Sequence, residues 1–514
     1  MSLAIKILTP VSKLIMKIIS PDGQIKQPRI SKKCPKFYGS PATPKDLGNK
    51  NKDFQNPHFA PEGTNGMHGD SYNTEAYPYN ATLGVNPAVR SKALNVFGGM
   101  LATLMFDSKG RIMAISGNVV GFRLLLMDSD TLEVLAETRL PQRASTKEFF
   151  KTFDFGKISN DTSGGAYCHL LKGDRPIIGN SHNVIQIYRI NESGEKPKWE
   201  IERQWNIAPY LPKGSYIQDA LPDYDGNIWF VTRYGQVGFV DKKDKVHITN
   251  IHNEEIHNTF AISADGVFLN SNYAQYKFNI SENGEPYAVW RTEYDRGTSQ
   301  KPGSLIQGSG TTPTLLDVPR TDGSIAHILA ISDHADERIH IVIFDRDSGE
   351  IISQVPLFDK GHSITENSLI AYDRSFIIEN NYTVSGNAAF LAKNPVGYPG
   401  VARVEVNEDV TDAKLIWESR EASPTTVPKL STKNGLVYLY TREINKDIPK
   451  KAVAWYLTAI DYETGETKFK IFTGTGRRWN NSYAPITIGP NGTVYVGVFN
   501  GVIAVKDTPE LKEQ

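Results

Sequence analysis

A phrase of strand, Asp, turn, Gly and strand returns along the chain. Ala459-Ile460-Asp461-Tyr462-Glu463-Thr464-Gly465-Glu466 is echoed by Ile343-Phe344-Asp345-Arg346-Asp347-Ser348-Gly349-Glu350 and, more loosely, by Leu126-Met127-Asp128-Ser129-Asp130-Thr131-Leu132-Glu133. In each copy an apolar run delivers an Asp that can bond the backbone of the next turn. In the first two copies Gly then supplies a positive φ angle. Each phrase reads as a hairpin, and hairpins repeated at this scale identify a repeat architecture before any single residue is weighed.

The rhythm begins after Val96, where Met100–Phe106, Arg111–Ile115, Phe122–Met127 and Val134–Leu140 form four short extended runs separated by turns. Comparable sets begin near Ala166, Ile217, Ile256, Thr311, Glu366, Thr425 and Ser482. This pattern predicts an all-β fold, a single β-propeller of about eight four-stranded blades, with seven the other count. A stack of β-sandwiches competes, but the chain shows no domain linkers. The last set has three strands, and a strand from the arm before Val96 is expected to complete it and remove an exposed sheet edge. The chain therefore divides into a short basic amphipathic segment (1–19), an N-terminal extended arm or lid (20–95), the propeller (96–507) and a C-terminal tail (508–514).

Lys+Arg and Asp+Glu balance at 57 each, so no net field draws the protein to nucleic acid. The apolar stretch at residues 3–19 is interrupted by Lys6, Pro10, Lys13 and Lys17, which argues against a spanning helix and leaves at most a peripheral membrane contact. Cys34 and Cys168 are too few for a disulfide framework and suit a cytoplasmic setting.

The phrase running from Ala459 to Phe469 resembles the docking repeat of the quinoprotein alcohol dehydrogenase-like propellers, which places Ala first, Gly seventh and Trp eleventh. Ala459 and Gly465 match and Phe469 stands where Trp is expected; the second copy keeps Gly349 and has Ser353 in the last place. The resemblance implies the superfamily fold across 96–507. Members that use pyrroloquinoline quinone usually carry an adjacent-cysteine disulfide; this chain has no neighbouring cysteines, which argues against that cofactor.

In a propeller the innermost strands face the axis, so residues entering them converge on one funnel, the default site. Counting back from the Asp-Gly and Asn-Gly turns and matching Pro313, Pro428 and Pro485 aligns Asp219, His257, Thr311, Glu366, Thr426 and Tyr483 at the mouths of inner strands. His257 and Glu366 are the expected metal ligands or acid–base pair, with Asp219 and Tyr483 as further catalytic candidates. His68, His334 and His362 lie in Gly- and Asp-rich loops that can fold over the funnel and join Glu366 in a mixed site for zinc, iron or copper. Calcium near Glu379-Asn380-Asn381-Tyr382 is a further option. Arg338 suits a substrate carboxylate, with Thr311 and Thr426 as supporting contacts. The competing role for each of these groups is hydrogen bonding between blades. The expected function is an enzyme for a small organic molecule, an oxidoreductase or a lyase or hydrolase. The alternative is a non-catalytic propeller that presents loops to a protein partner.

Overall fold

The computed structural model describes residues 20–27, 35–50, 55–95, 98–118, 121–152, 163–383, 397–445 and 453–509, together with residues 15, 18 and 161. The expected amphipathic segment apart from residues 15 and 18, most of the tail and Cys34 lie outside them. Among the described residues the strands form eight sheets, a β-propeller. Seven blades are consecutive four-stranded antiparallel meanders, spanning 98–139, 169–206, 217–250, 261–293, 314–356, 370–419 and 429–475. They are called blades 1 to 7. Blade 8 has three strands from the C-terminal end, Ile486–Ile488, Val494–Val498 and Gly501–Asp507, and its outer strand is Pro87–Ala93 from the arm. The register is antiparallel throughout, from Pro87 opposite Asp507 to Ala93 opposite Gly501. An α-helix, α1 (Ala144–Thr152), lies between blades 1 and 2. No described helix is long and apolar enough to cross a membrane.

The recurring phrase makes the turn its chemistry demands. Asp461 Oδ1 accepts from the N–H groups of Glu463 (2.9 Å) and Thr464 (3.0 Å), and Gly465 N donates to Asp461 O (2.9 Å) with φ +72°. Asp345 and Gly349 repeat this geometry, with φ +78° at Gly349. In the looser copy Leu132 adopts the same left-handed conformation, φ +62°, and is buried.

The two glycines have a second duty. A Cβ on Gly465 would fall 2.6 Å from the Trp417 indole of blade 6, and one on Gly349 would fall 2.6 Å from Trp290 of blade 4. Each indole N–H donates to a carbonyl in the same turn, Trp417 to Tyr462 O (3.0 Å) and Trp290 to Arg346 O (3.1 Å). A tryptophan on the outer strand of one blade thus seats on the glycine turn of the next. The cores lie between blades in the same way; one cluster joins Trp205, Trp229 and Phe260 across blades 2, 3 and 4.

The arm does more than close the ring. Phe37–Gly39 pairs with the outer strand of blade 7, and residues 56–77 then run through the middle of the propeller. Along this path the arm bonds the inner strands of seven of the eight blades among the described residues. Asn56 donates to Pro222 O, and Ala60 to Leu170 O. The arm carbonyls of Thr64, Ser71, Tyr72, Thr74 and Glu75 accept from Phe106, Ile262, Leu315, Ala371 and Leu430. Inner edges that would otherwise present unpaired N–H groups are satisfied by this segment.

Candidate active site

The arm fills part of the axis and reaches strand entries as well, with Asn73 Nδ2 donating to Phe260 O (3.3 Å) and Pro313 O (3.1 Å) and Lys429 Nζ to Met67 O (2.6 Å). Residues just before the inner strands form the candidate site. There the chain Asn480-Asn481-Ser482-Tyr483 turns inward through two consecutive left-handed residues, Ser482 (φ +43°) and Tyr483 (φ +65°). Strain of this kind persists only where neighbours hold it, and they do. Asn480 Oδ1 accepts from Ser482 N (2.9 Å), Tyr483 N donates to Thr425 O (2.8 Å), and Asn481 Nδ2 donates to Thr426 Oγ1 (2.8 Å). The Tyr483 hydroxyl then donates to Gly303 O at 2.8 Å.

Gly303 opens a segment that crosses from blade 6 back to blade 4. A Cβ on Gly303 would lie 2.7 Å from Asn381 O, one on Gly308 2.9 Å from Asn272 O, and one on Gly310 2.6 Å from Glu366 Cδ. Three glycines therefore let this backbone lie flat over the axis. Asn258 Nδ2 ties it down by donating to Gly310 O (2.8 Å), and Tyr294 Oη accepts from Ser309 N (2.9 Å).

Glu366 lies beneath Gly310. Both carboxyl oxygens are buried and no side chain hydrogen-bonds to either. Burial pushes its pKa up from the ordinary 4.5 to about 8, against a small opposing effect of the Leu305 N–H. Its charge is felt by Tyr167 and Tyr483, phenols from blades 2 and 8 whose pKa values rise, mainly through burial. Nearby, burial raises Glu379 to about 8 as well, although Asn367 and Asn381 donate to it. Arg442, which also acts on Tyr483, is pushed down to about 10 by burial. Burial thus holds Glu366 and Glu379 well above the ordinary carboxylate range, and groups from several blades share one electrostatic environment.

The other expected site residues are placed as follows. Asp219 accepts from His169 Nε2 (2.8 Å) and from Thr259 Oγ1, joining blades 2, 3 and 4. His257 is buried, its carbonyl accepts from Gln218 Nε2 (2.9 Å), and burial with the Arg233 charge holds its imidazole well below the usual histidine range. Thr311 Oγ1 accepts from Ser332 N (3.1 Å), and Thr426 Oγ1 donates to Tyr440 O (3.3 Å). Arg338 is half-buried beside Glu337 and His340. His334 is buried against Lys301 and the Ser299 backbone, and its pKa falls to about 4, first through burial. His362 stacks on Tyr398 at 4.1 Å. His68 belongs to the arm, where it bonds Glu75, which in turn bonds Lys429 of blade 7.

His68, His334 and His362 thus stand in three separate surroundings. Among the described residues no group of three or more His, Cys, Asp or Glu is arranged to hold a metal ion. Three contributors to the axis were not singled out from the sequence, namely Tyr167, Arg442 and the segment 303–310. Tyr167 and Arg442 carried no motif, although the glycine spacing of 303–310 was a usable signal.

No family model matches the chain. A relative from Archaeoglobus fulgidus, described as an uncharacterized protein, is 27% identical over 352 residues, which are 62% of this chain. The chain spans 66% of that relative's length. Among solved structures, streptogramin B lyase is 11% identical with a TM-score of 0.35, covering 82% of this chain and 98% of its own. The Dos1 propeller is 11% identical with a TM-score of 0.35, covering 65% and 90%. Saccharomyces cerevisiae Sqt1 is 11% identical with a TM-score of 0.31, covering 65% and 93%. At that distance the likeness carries no argument, and the propeller fold rests on the eight sheets themselves.

Proposed function

We propose that the axial cluster around Glu366 is the catalytic centre for a small organic molecule, with Glu366 as proton donor. One observation carries the reading: a buried carboxyl beside the axis whose oxygens take no side-chain hydrogen bond and whose pKa burial pushes up to about 8. A neutral carboxylic acid in a dry site can give its proton to a leaving or developing oxyanion. Acid–base chemistry of the lyase or hydrolase type fits this group better than electron transfer. Tyr483 and Asn258 support the reading as the residues that hold the 303–310 segment over the acid.

The test uses dicyclohexylcarbodiimide, a small apolar reagent that adds to protonated carboxyls. Mass spectrometry of the treated protein is expected to find the adduct on Glu366 at pH 7, with labelling fading as the pH passes about 8. Small esters and lactones screened alongside should be turned over by the wild type and 10² to 10⁴-fold more slowly by Glu366→Gln, the range for loss of a general acid. Absence of the label at every pH, or turnover untouched by the substitution, overturns the reading.

A second reading is favoured by one observation, the filling of the axis by residues 56–77. A propeller sealed in this way serves a non-catalytic scaffold that presents its rim to a protein.

A further inference from the structure

A cavity of about 310 Å³ opens between blades 2 and 3, away from the axis, where the arm enters the ring. This is at the lower end of the 300–1,000 Å³ range that small ligands occupy. Its floor is apolar, formed by Leu171, Ile187, Trp205 and Ile228. These side chains belong to the buried core between blades 2 and 3, so the cavity reaches that core from the surface. The arm contributes one wall through His58, whose ring lies against Gly226 of blade 3; a Cβ there would come within 3.0 Å of His58 Cε1.

The rim is cationic. Lys172, Arg175, Arg203 and Lys242 line it against one carboxylate, Asp241. Two of the four cations are already compensated, Arg175 by Glu202 (3.0 Å) and Arg203 by Asp244 (2.5 Å). Asp241 is occupied by the N–H groups of Lys243 and Lys245 and by His247. Lys172 and Lys242 are exposed, and among the described residues neither ammonium is paired with a carboxylate. Arg203 also stacks on the Trp205 ring at 4.6 Å, which holds a guanidinium over the apolar floor.

We propose that this cavity binds a phosphate monoester with an aromatic or similarly flat apolar body. The body lies on Trp205, Ile187 and Ile228, and the dianionic head lies between Lys172 and Lys242, whose two uncompensated charges match it. Arg203 is placed to donate to the same head from above the indole.

The experiment is isothermal titration of the full-length protein with 1-naphthyl phosphate, and separately with inorganic phosphate and 1-naphthol. The expected result is saturable one-site binding of 1-naphthyl phosphate, with each half-probe at least tenfold weaker. The double variant Lys172→Glu/Lys242→Glu, which changes only exposed side chains, should weaken binding at least tenfold, and Lys172→Gln/Lys242→Gln by a smaller factor. Failure of 1-naphthyl phosphate to saturate overturns the proposal. So do unchanged affinity in the charge-reversed protein and inorganic phosphate binding as tightly as the ester.

Discussion

Replacing Glu366 with Gln should alter how stability depends on pH, in a direction fixed by the buried acid. Its pKa is raised from 4.5 to about 8 on folding. Between those values the folded chain keeps a proton that the unfolded chain releases, so stability falls as pH rises through the interval and levels off above it. At about 1.4 kcal/mol per pKa unit, this one group lowers stability at pH 9 by roughly 5 kcal/mol relative to pH 4. Gln is nearly isosteric and has no proton to lose. The stability difference between variant and wild type should therefore move by roughly that amount in the variant's favour from pH 4 to pH 9. Urea denaturation of both proteins at pH 4, 6, 7.5 and 9 measures this, with the midpoints compared pairwise. Parallel pH curves for the two proteins would refute the reasoning, because they would place Glu366 in the same protonation state folded and unfolded.

The remaining expectations concern the framework that holds the site. Gly465→Ala forces a left-handed alanine and drives its Cβ into Trp417, which should cost about 2–4 kcal/mol in denaturation and release the Trp417 indole N–H to solvent exchange. Lys429→Met leaves the Glu75 carboxyl without its buried cation and should cost about 3–5 kcal/mol, much of it recovered in Lys429→Met/Glu75→Gln, as denaturation of both variants will measure. Gly310→Ala pushes a methyl to 2.6 Å from Glu366 Cδ; carbodiimide labelling of Glu366 should change in this variant while far-UV circular dichroism keeps the wild-type β signature. Removal of residues 1–93 takes away the outer strand of blade 8 and the whole axial segment, and should give insoluble or unfolded protein, read by sedimentation after expression.

The ring was legible because its hairpins are written locally. Asp461 and Gly465 specify their turn with their own side chain and backbone, and the three-strand count after Ser482 called for the strand that Pro87–Ala93 provides. The arm could be read as a lid, but the course of residues 56–77 along the axis could not, because it is set by backbone carbonyls meeting inner strands distant in sequence. Lys429 and Glu75 are 354 residues apart, and nothing in either neighbourhood announces the other. At the site, the convergence of inner-strand entries could be read, but side-chain direction alternates with every residue of a strand. Asn258 reaches Gly310 and Tyr167, whereas its neighbour His257 is acted on by Arg233 of blade 3.

The protonation of Glu366 can be seen directly by infrared difference spectroscopy, with wild-type protein titrated from pH 5 to pH 10 and the Glu366→Gln spectra subtracted. A neutral carboxylic acid carbonyl band present at pH 7 and lost with a midpoint about 8 is the predicted result. A carboxylate signal already complete at pH 6 would contradict the assignment of this side chain as the axial acid.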